Sequence, residues 1–272
     1  MNDQGQLPTH GVTKPNAKPP TQIDTVRGMM AAPEYMKQIT SYYRGNKEEA
    51  MAFLTSSVEY IRKVPKLLEC DRTSLLSALM ISAQLRLMPS GVMGEAYIIP
   101  YGNEAKFQLG YQGIVSLIWR TEQVKSIKAL IVHDNEEFEY SEGLDTRLVH
   151  VPTKFGKKKG EPIGVYAVVE TTNGGRVFKV MSKDEIMAIK ELSKAKASKE
   201  SPWNSDKDPE LWMWKKTCLI QLAKLLPKSK EIRKAIEEDY KGEGMKGAGL
   251  DAGGPAVGAA LHTPEGTSET HG

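Results

Sequence analysis

Residues 96–120, AYIIPYGNEAKFQLGYQGIVSLIWR, constrain the fold more than any other stretch of the chain. Ala96–Pro100 and Ala105–Leu109 read as strands, with Tyr101, Gly102, Asn103 and Glu104 turning between them. Side chains alternate on a strand, so Phe107 and Leu109 share one face and Lys106 and Gln108 the other. Gly110 and Gly113 bracket a helix start, where missing Cβ atoms admit a close backbone and free N–H groups favour anions. On that helix Gln112, Ser116 and Arg120 form a polar stripe, while Tyr111, Ile114, Val115 and Ile118 face a core. The stretch predicts a hairpin running into a helix, with polar groups set for holding a charged ligand.

The flanks predict an α+β chain. Asn46 and Glu49 make a capping-box start for a helix carrying Ala50, Phe53, Leu54, Val58 and Ile61. A second helix opens near Asp71 and stops before Pro89. Strands follow over 124–132, 137–140, 147–151, 163–171 and 176–181, the last pair turning at Asn173-Gly174, a type I′ signal. Ser182 caps a helix to Leu192. Asp208-Pro209 reads as a cap with proline at the first helical position. That helix buries Leu211, Trp214, Cys218, Leu222 and Leu225, leaves Lys215, Lys216 and Lys224 off the stripe, and ends before Pro227. A short helix runs to about Tyr240. Residues 1–25, with Pro8, Pro15, Pro19 and Pro20, read as a disordered arm, residues 26–240 as one core, and residues 241–272 as a glycine-rich flexible tail.

At 272 residues and 40% hydrophobic, the chain can bury one substantial core. The formal net charge is only +3, so a polyanion site must come from local clustering. Cys70 and Cys218 fit no metal spacing and read as buried thiols in a reducing cytosol. No run approaches ~18 apolar residues and no signal peptide opens the chain, so a soluble cytoplasmic protein is expected.

Enzyme motifs are sparse. No GxxxxGK[ST], HExxH or GxSxG occurs. His133 and His150 are the only histidines outside the predicted arms, and as a zinc site they lack obvious partners. Glu104 and Lys106 form an E-x-K that, with Glu95 as second carboxylate, would suit a Mg²⁺-dependent nuclease. A binding surface is better supplied. Lys154-Phe155-Gly156-Lys157-Lys158-Lys159 reads as a flexible basic loop with an aromatic in it. Basic residues outnumber acidic ones from Lys154 to Lys230. Trp203, Trp212 and Trp214 are candidate stacking platforms, of which Trp214 falls at core spacing and Trp203 stays open.

The string Gln108-Leu109-Gly110-Tyr111-Gln112-Gly113, with Arg120 and Gln123 to Ile127 after it, resembles the RecT family of phage single-strand annealing proteins. Ala96 to Gly102, Gly164 to Ala167, Ser201-Pro202-Trp203, and Trp214 to Pro227 carry the resemblance onward in order, over about residues 30–230. Trp119 departs from it, since relatives often carry a basic pair at 119–120. The resemblance implies a Rad52-like annealing core, distantly related through lambda Red beta, that binds single-stranded DNA without ATP and pairs it with its complement. It implies a homo-oligomeric ring or helical filament around the annealed duplex. It further implies a host single-strand-binding protein or a phage exonuclease as partner and no catalytic residue or metal, with Mg²⁺ a candidate aid to assembly. Lys106, Arg120, Lys215, Lys216 and Lys224 would then supply charge in the groove. Gln108, Gln112 and Ser116 would bond phosphates, Tyr111 and the hairpin tip near Tyr101 would wedge or stack against bases, and Lys154 and Lys157 would close over the second strand.

Overall fold

The computed structural model describes residues 21–194, 196, 201–204, 208–226 and 230–245. The parts of the predicted arms at 1–20 and 246–272, and Pro227, lie outside these residues. The first helix, α1 (Gln22–Met30), begins inside the stretch expected to be an arm. Thr21 and Asp24 exchange side-chain-to-backbone hydrogen bonds there as a full capping box, and Val26 and Met30 are buried. Residues 22–25, expected to belong to the arm, are therefore helical. Helix α2 (Pro33–Tyr42) opens on its proline, and α3 (Lys47–Lys63) on Asn46, whose side chain accepts the Glu48 and Glu49 N–H groups. After a 3₁₀ turn at Pro65–Leu68, Asp71 caps α4 (Arg72–Leu85) through the Ser74 N–H.

Strands β1 (Ala96–Tyr101) and β2 (Glu104–Leu109) pair antiparallel from Ala96 with Leu109 to Tyr101 with Glu104. Their turn is two residues long and needs Gly102, which sits at φ +57°. The tip is docked: the Asn103 carbonyl accepts the Asp71 N–H at 2.7 Å, and the Ser74 hydroxyl accepts the Ala105 N–H at 3.0 Å. A hairpin tip free to wedge between bases, as expected near Tyr101, is thus corrected to one seated on the start of α4. Helix α5 (Tyr111–Trp119) follows at once.

A three-stranded antiparallel sheet has the order β3 (Val124–His133), β6 (Pro162–Thr171), β7 (Arg176–Ser182). Val165, Ala167, Val169 and Met181 alternate onto its buried face, against α7 (Trp212–Ala223). The β6–β7 turn is not type I′. Only Gly174 has positive φ, +85°, and the Thr171 N–H donates to the Gly175 carbonyl at 2.8 Å, which makes a three-residue loop with glycine at its left-handed position. Strands β4 (Glu137–Ser141) and β5 (Arg147–Val151) form a separate hairpin inserted between β3 and β6. Ser182 and Glu185 complete a capping box for α6 (Lys183–Leu192).

Helix α7 starts at Trp212, three residues later than Asp208-Pro209 suggested. Asp208 still caps it, accepting the Met213 N–H at 2.8 Å. Leu225, expected in its buried stripe, is 59% exposed because the helix has already ended at Ala223. The last helix, α8 (Lys230–Glu243), lies against β2, and Met245 beyond it is also buried, so the core runs past residue 240. Gly242 touches the hairpin so closely that a Cβ there would stand 2.3 Å from the Phe107 carbonyl oxygen.

Candidate nucleic-acid interface

The basic loop is anchored at both ends, and the sequence reading of a flexible one is corrected. Glu136, buried in the β3–β4 turn, accepts the Thr153 N–H at 2.9 Å and the Thr153 hydroxyl at 3.0 Å on one oxygen. Its other oxygen faces the His133 N–H, His133 Nδ1 and His150 Nε2 at 2.9, 3.0 and 3.1 Å. Burial alone would push the Glu136 carboxyl up, but these donors outweigh it and hold the group far below the usual carboxylate range. At the other end Asn135 Oδ1 accepts the Gly160 N–H and Asp134 Oδ1 accepts the Glu161 N–H. Gly160 is required because a Cβ would come 1.8 Å from Asp134 Oδ1. The histidines that lacked partners in the sequence therefore meet at a carboxylate whose work is to fix a loop. Between the anchors Lys154, Lys157, Lys158 and Lys159 are exposed, and Phe155 is fully so.

Lys159 lies near enough to Lys215 for its charge to be felt there. Burial keeps the Lys215 ammonium below the ordinary lysine range, Glu210 and Asp208 oppose that, and Lys159 adds to it. Lys215 Nζ sits 4.1 Å from the ring centroid of Trp212, and Tyr111 meets the same indole edge-on at 4.7 Å between centroids. Trp212 keeps 42% of its surface exposed, and Gln112 is exposed beside Tyr111. The residue before it, Leu211, adopts φ +53°, ψ +44°. A left-handed leucine costs about 1–3 kcal/mol and persists only where its surroundings enforce it. Two helix starts, α5 and α7, thus bring Tyr111, Trp212 and Lys215 to one corner, with Lys159 of the anchored loop close enough for its charge to act on Lys215. Trp212 was visible in the sequence only as one tryptophan of three. The left-handed start that turns it outward leaves no trace in residue type.

Several predicted groove residues are placed elsewhere. Lys216 is 4% exposed, bridging Asp239 at 2.9 Å and Glu243 at 3.3 Å, and is a core ion pair, not a phosphate contact. Gln108 donates to Glu243 Oε1, and Ser116 to Glu95 Oε1, both at 2.9 Å, so both side chains are engaged internally. Arg120 donates to the Leu85 and Arg86 carbonyls at 2.6 and 2.8 Å, which makes it the C-terminal cap of α4. Lys106 is part-exposed and pairs with Glu104 at 2.6 Å. Lys224 lies 5.3 Å from the Tyr240 ring, away from the corner formed at the start of α7. Trp203 is buried. Gly110 and Gly113 serve internal packing, since their Cβ atoms would stand 1.9 Å from the Gly94 and 2.1 Å from the Glu95 carbonyl oxygens.

Glu95 and Glu104 do not meet. Glu95 precedes the first residue of β1 and Glu104 pairs with the last, so they lie about 20 Å apart at ~3.4 Å per residue. Glu95 instead accepts the Met88 N–H. Among the described residues no group of three or more acidic, histidine or cysteine side chains could hold a metal ion. No helix among them is long and apolar enough to cross a membrane.

Lysines on an anchored loop near flat aromatic rings, on an α+β core, make a surface suited to a polyanion that carries bases, the kind found in nucleic-acid-binding proteins. The RecT family model matches residues 51–248, which hold all of this corner, and the chain belongs to the RecT family. It is 37% identical over 190 residues to Protein RecT of Escherichia coli (strain K12), covering 66% of this chain and 68% of that one. It is 32% identical over 219 residues to the uncharacterized protein YqaK of Bacillus subtilis (strain 168), covering 79% and 72%. Membership supports a function in DNA recombination by single-strand annealing.

Proposed function

We propose that the protein binds single-stranded DNA and pairs it with a complementary strand without ATP. It acts as a homo-oligomer that holds the annealed duplex in a ring or helical filament, in the cytoplasm of a bacterial host. The observation that carries this reading is the anchored four-lysine loop beside Lys215 and the aromatic pair. Two phosphate backbones repel each other, and fixed cations lower the cost of bringing them together while releasing condensed counterions. Because base pairing itself must read the sequence, the protein should grip backbones and leave Watson–Crick edges free, which lysines and ring faces do. Lys215 and Lys159 hold the first strand, with Lys106 and Gln112 candidates for its continuation, and Lys154, Lys157 and Lys158 receive the second. Mg²⁺ serves assembly by screening phosphates, and the segment beyond residue 245 takes a host single-strand-binding protein or a phage exonuclease.

Mixing two complementary labelled oligonucleotides with the protein, without ATP and with or without Mg²⁺, tests this. Pairing of intact strands faster than in buffer is expected. Strands shortened only in Mg²⁺ would point instead to a nuclease, and no change in pairing or length would sink the annealing reading.

A further inference from the structure

Every side chain from Met213 to Ala223 except Lys215 and Gln221 is buried, yet the helix begins with a tryptophan left 42% exposed. A lone exposed aromatic means little. Three independent observations single this one out. Its ring carries the Lys215 ammonium at 4.1 Å, and the one ion pair Lys215 makes among the described residues is a long contact to Glu210 at 3.9 Å. Tyr111 supports the indole edge-on from another helix and fixes its plane. Leu211 holds the left-handed backbone that starts the helix at Trp212, locked by its N–H to the Asp208 carbonyl at 3.0 Å and by the Met213 N–H to the Asp208 side chain. A tilted ring held rigid by strained backbone, with a cation at its face, is suited to flat, electron-rich heterocycles that come with an anion attached.

We propose that Trp212 is a stacking platform for one unpaired nucleobase and that Lys215, displaced from the ring as the base arrives, takes the adjoining phosphate. Tyr111 acts as a positioning residue for the indole. This rests on the reading of the chain as a single-stranded DNA binder and adds that part of its affinity comes from bases, not phosphates. Stacking tolerates any sequence because every base has a π-face. It also separates neighbouring bases so that their pairing edges stay open to the incoming strand.

Two oligonucleotides of equal length, oligo-dT and a fully abasic deoxyribose-phosphate strand, distinguish the contributions when each is titrated into the full-length protein over a range of NaCl. The wild type should bind oligo-dT more tightly than the abasic strand. Trp212→Ala should lose roughly 5- to 100-fold in affinity for oligo-dT, keep the wild-type salt slope, and bind the abasic strand as the wild type does. Trp212→Phe should recover most of the loss, and Trp212→Leu, which keeps the buried part of the site filled if alanine does not fold, should not. Lys215→Ala should make the salt slope shallower by about 0.7 on both strands. Equal loss on both strands in Trp212→Ala and Trp212→Leu, or no loss on either, would overturn the platform while leaving DNA binding intact. A wild type that binds neither strand would remove the DNA-binding reading and the platform with it.

Discussion

Lys216 and Lys215 are adjacent in sequence and opposite in physics. Lys215 lies over a part-exposed ring, whereas Lys216 is sealed between two carboxylates, each under 5% exposed at its side chain. Removing one partner of a buried ionic cluster strands the remaining charges, so Lys216→Ala should lower unfolding free energy by about 3–5 kcal/mol in denaturant titration. The DNA salt slope of the protein that remains folded should not change. The cluster also sets a pH response. One lysine serves two acids, and burial with the nearby Glu243 pushes the Asp239 carboxyl up to about 6 despite Lys216. The folded state therefore binds this proton more tightly than the unfolded chain. Stability from this group is greatest below its unfolded value near 3.8 and is lost as pH rises through about 6. Glu136, whose pKa is lowered, acts oppositely, but its contribution is lost only below the usual glutamate range. The melting temperature should thus rise as pH falls from about 7.5 to about 5, and Asp239→Asn should flatten that rise. None of this could be read from Lys216 itself. Helical spacing puts it off the apolar stripe, which predicts exposure, and only the arrival of α8 from 23 and 27 residues downstream reverses that.

At the scale of elements, local signals carried well where the chain's own neighbours decide the structure. The capping residues Asn46, Asp71 and Ser182, the β1–β2 alternation and the β3, β5, β6 and β7 strands lie within a residue or so of where periodicity put them. The site was less legible, because its parts meet through non-local contacts. The start of α5, bracketed by Gly110 and Gly113, read as an anion cradle, yet the room left by the missing Cβ atoms is filled by the chain's own Gly94 and Glu95 carbonyls. Gly113→Ala tests that reassignment. The added methyl improves helix propensity by up to about 1 kcal/mol, but it stands 2.1 Å from the Glu95 oxygen and 2.9 Å from Leu109 Cδ1, and overpacking of that kind costs about 1–3 kcal/mol or more. A lower melting temperature with an unchanged DNA salt slope is expected. A glycine cradling phosphate would give the reverse.

Across the whole molecule the net charge is nearly balanced, so a DNA surface has to come from local clustering, and the anchored loop gathers four exposed lysines. Changing Lys154, Lys157, Lys158 and Lys159 together to glutamine should make the salt slope shallower by up to about 3, at ~0.7 for each phosphate no longer neutralised, and slow annealing with little effect on melting. Glu136→Gln should leave those charges in place but loosen their anchor, weakening annealing through mobility of the loop, read as faster amide exchange over residues 152–160. The β1–β2 hairpin is closed by α8, the last described helix. The Leu109 N–H donates to Asp239 at 2.8 Å across 130 residues of chain, and Gln108 reaches Glu243 across 135. On a ribosome adding ~5–20 residues per second, the hairpin emerges roughly 6–26 s before the helix that completes it. During that interval the nascent chain exposes a hairpin with unmet polar groups, and chaperone contact or premature pairing with another copy falls due then and not after release.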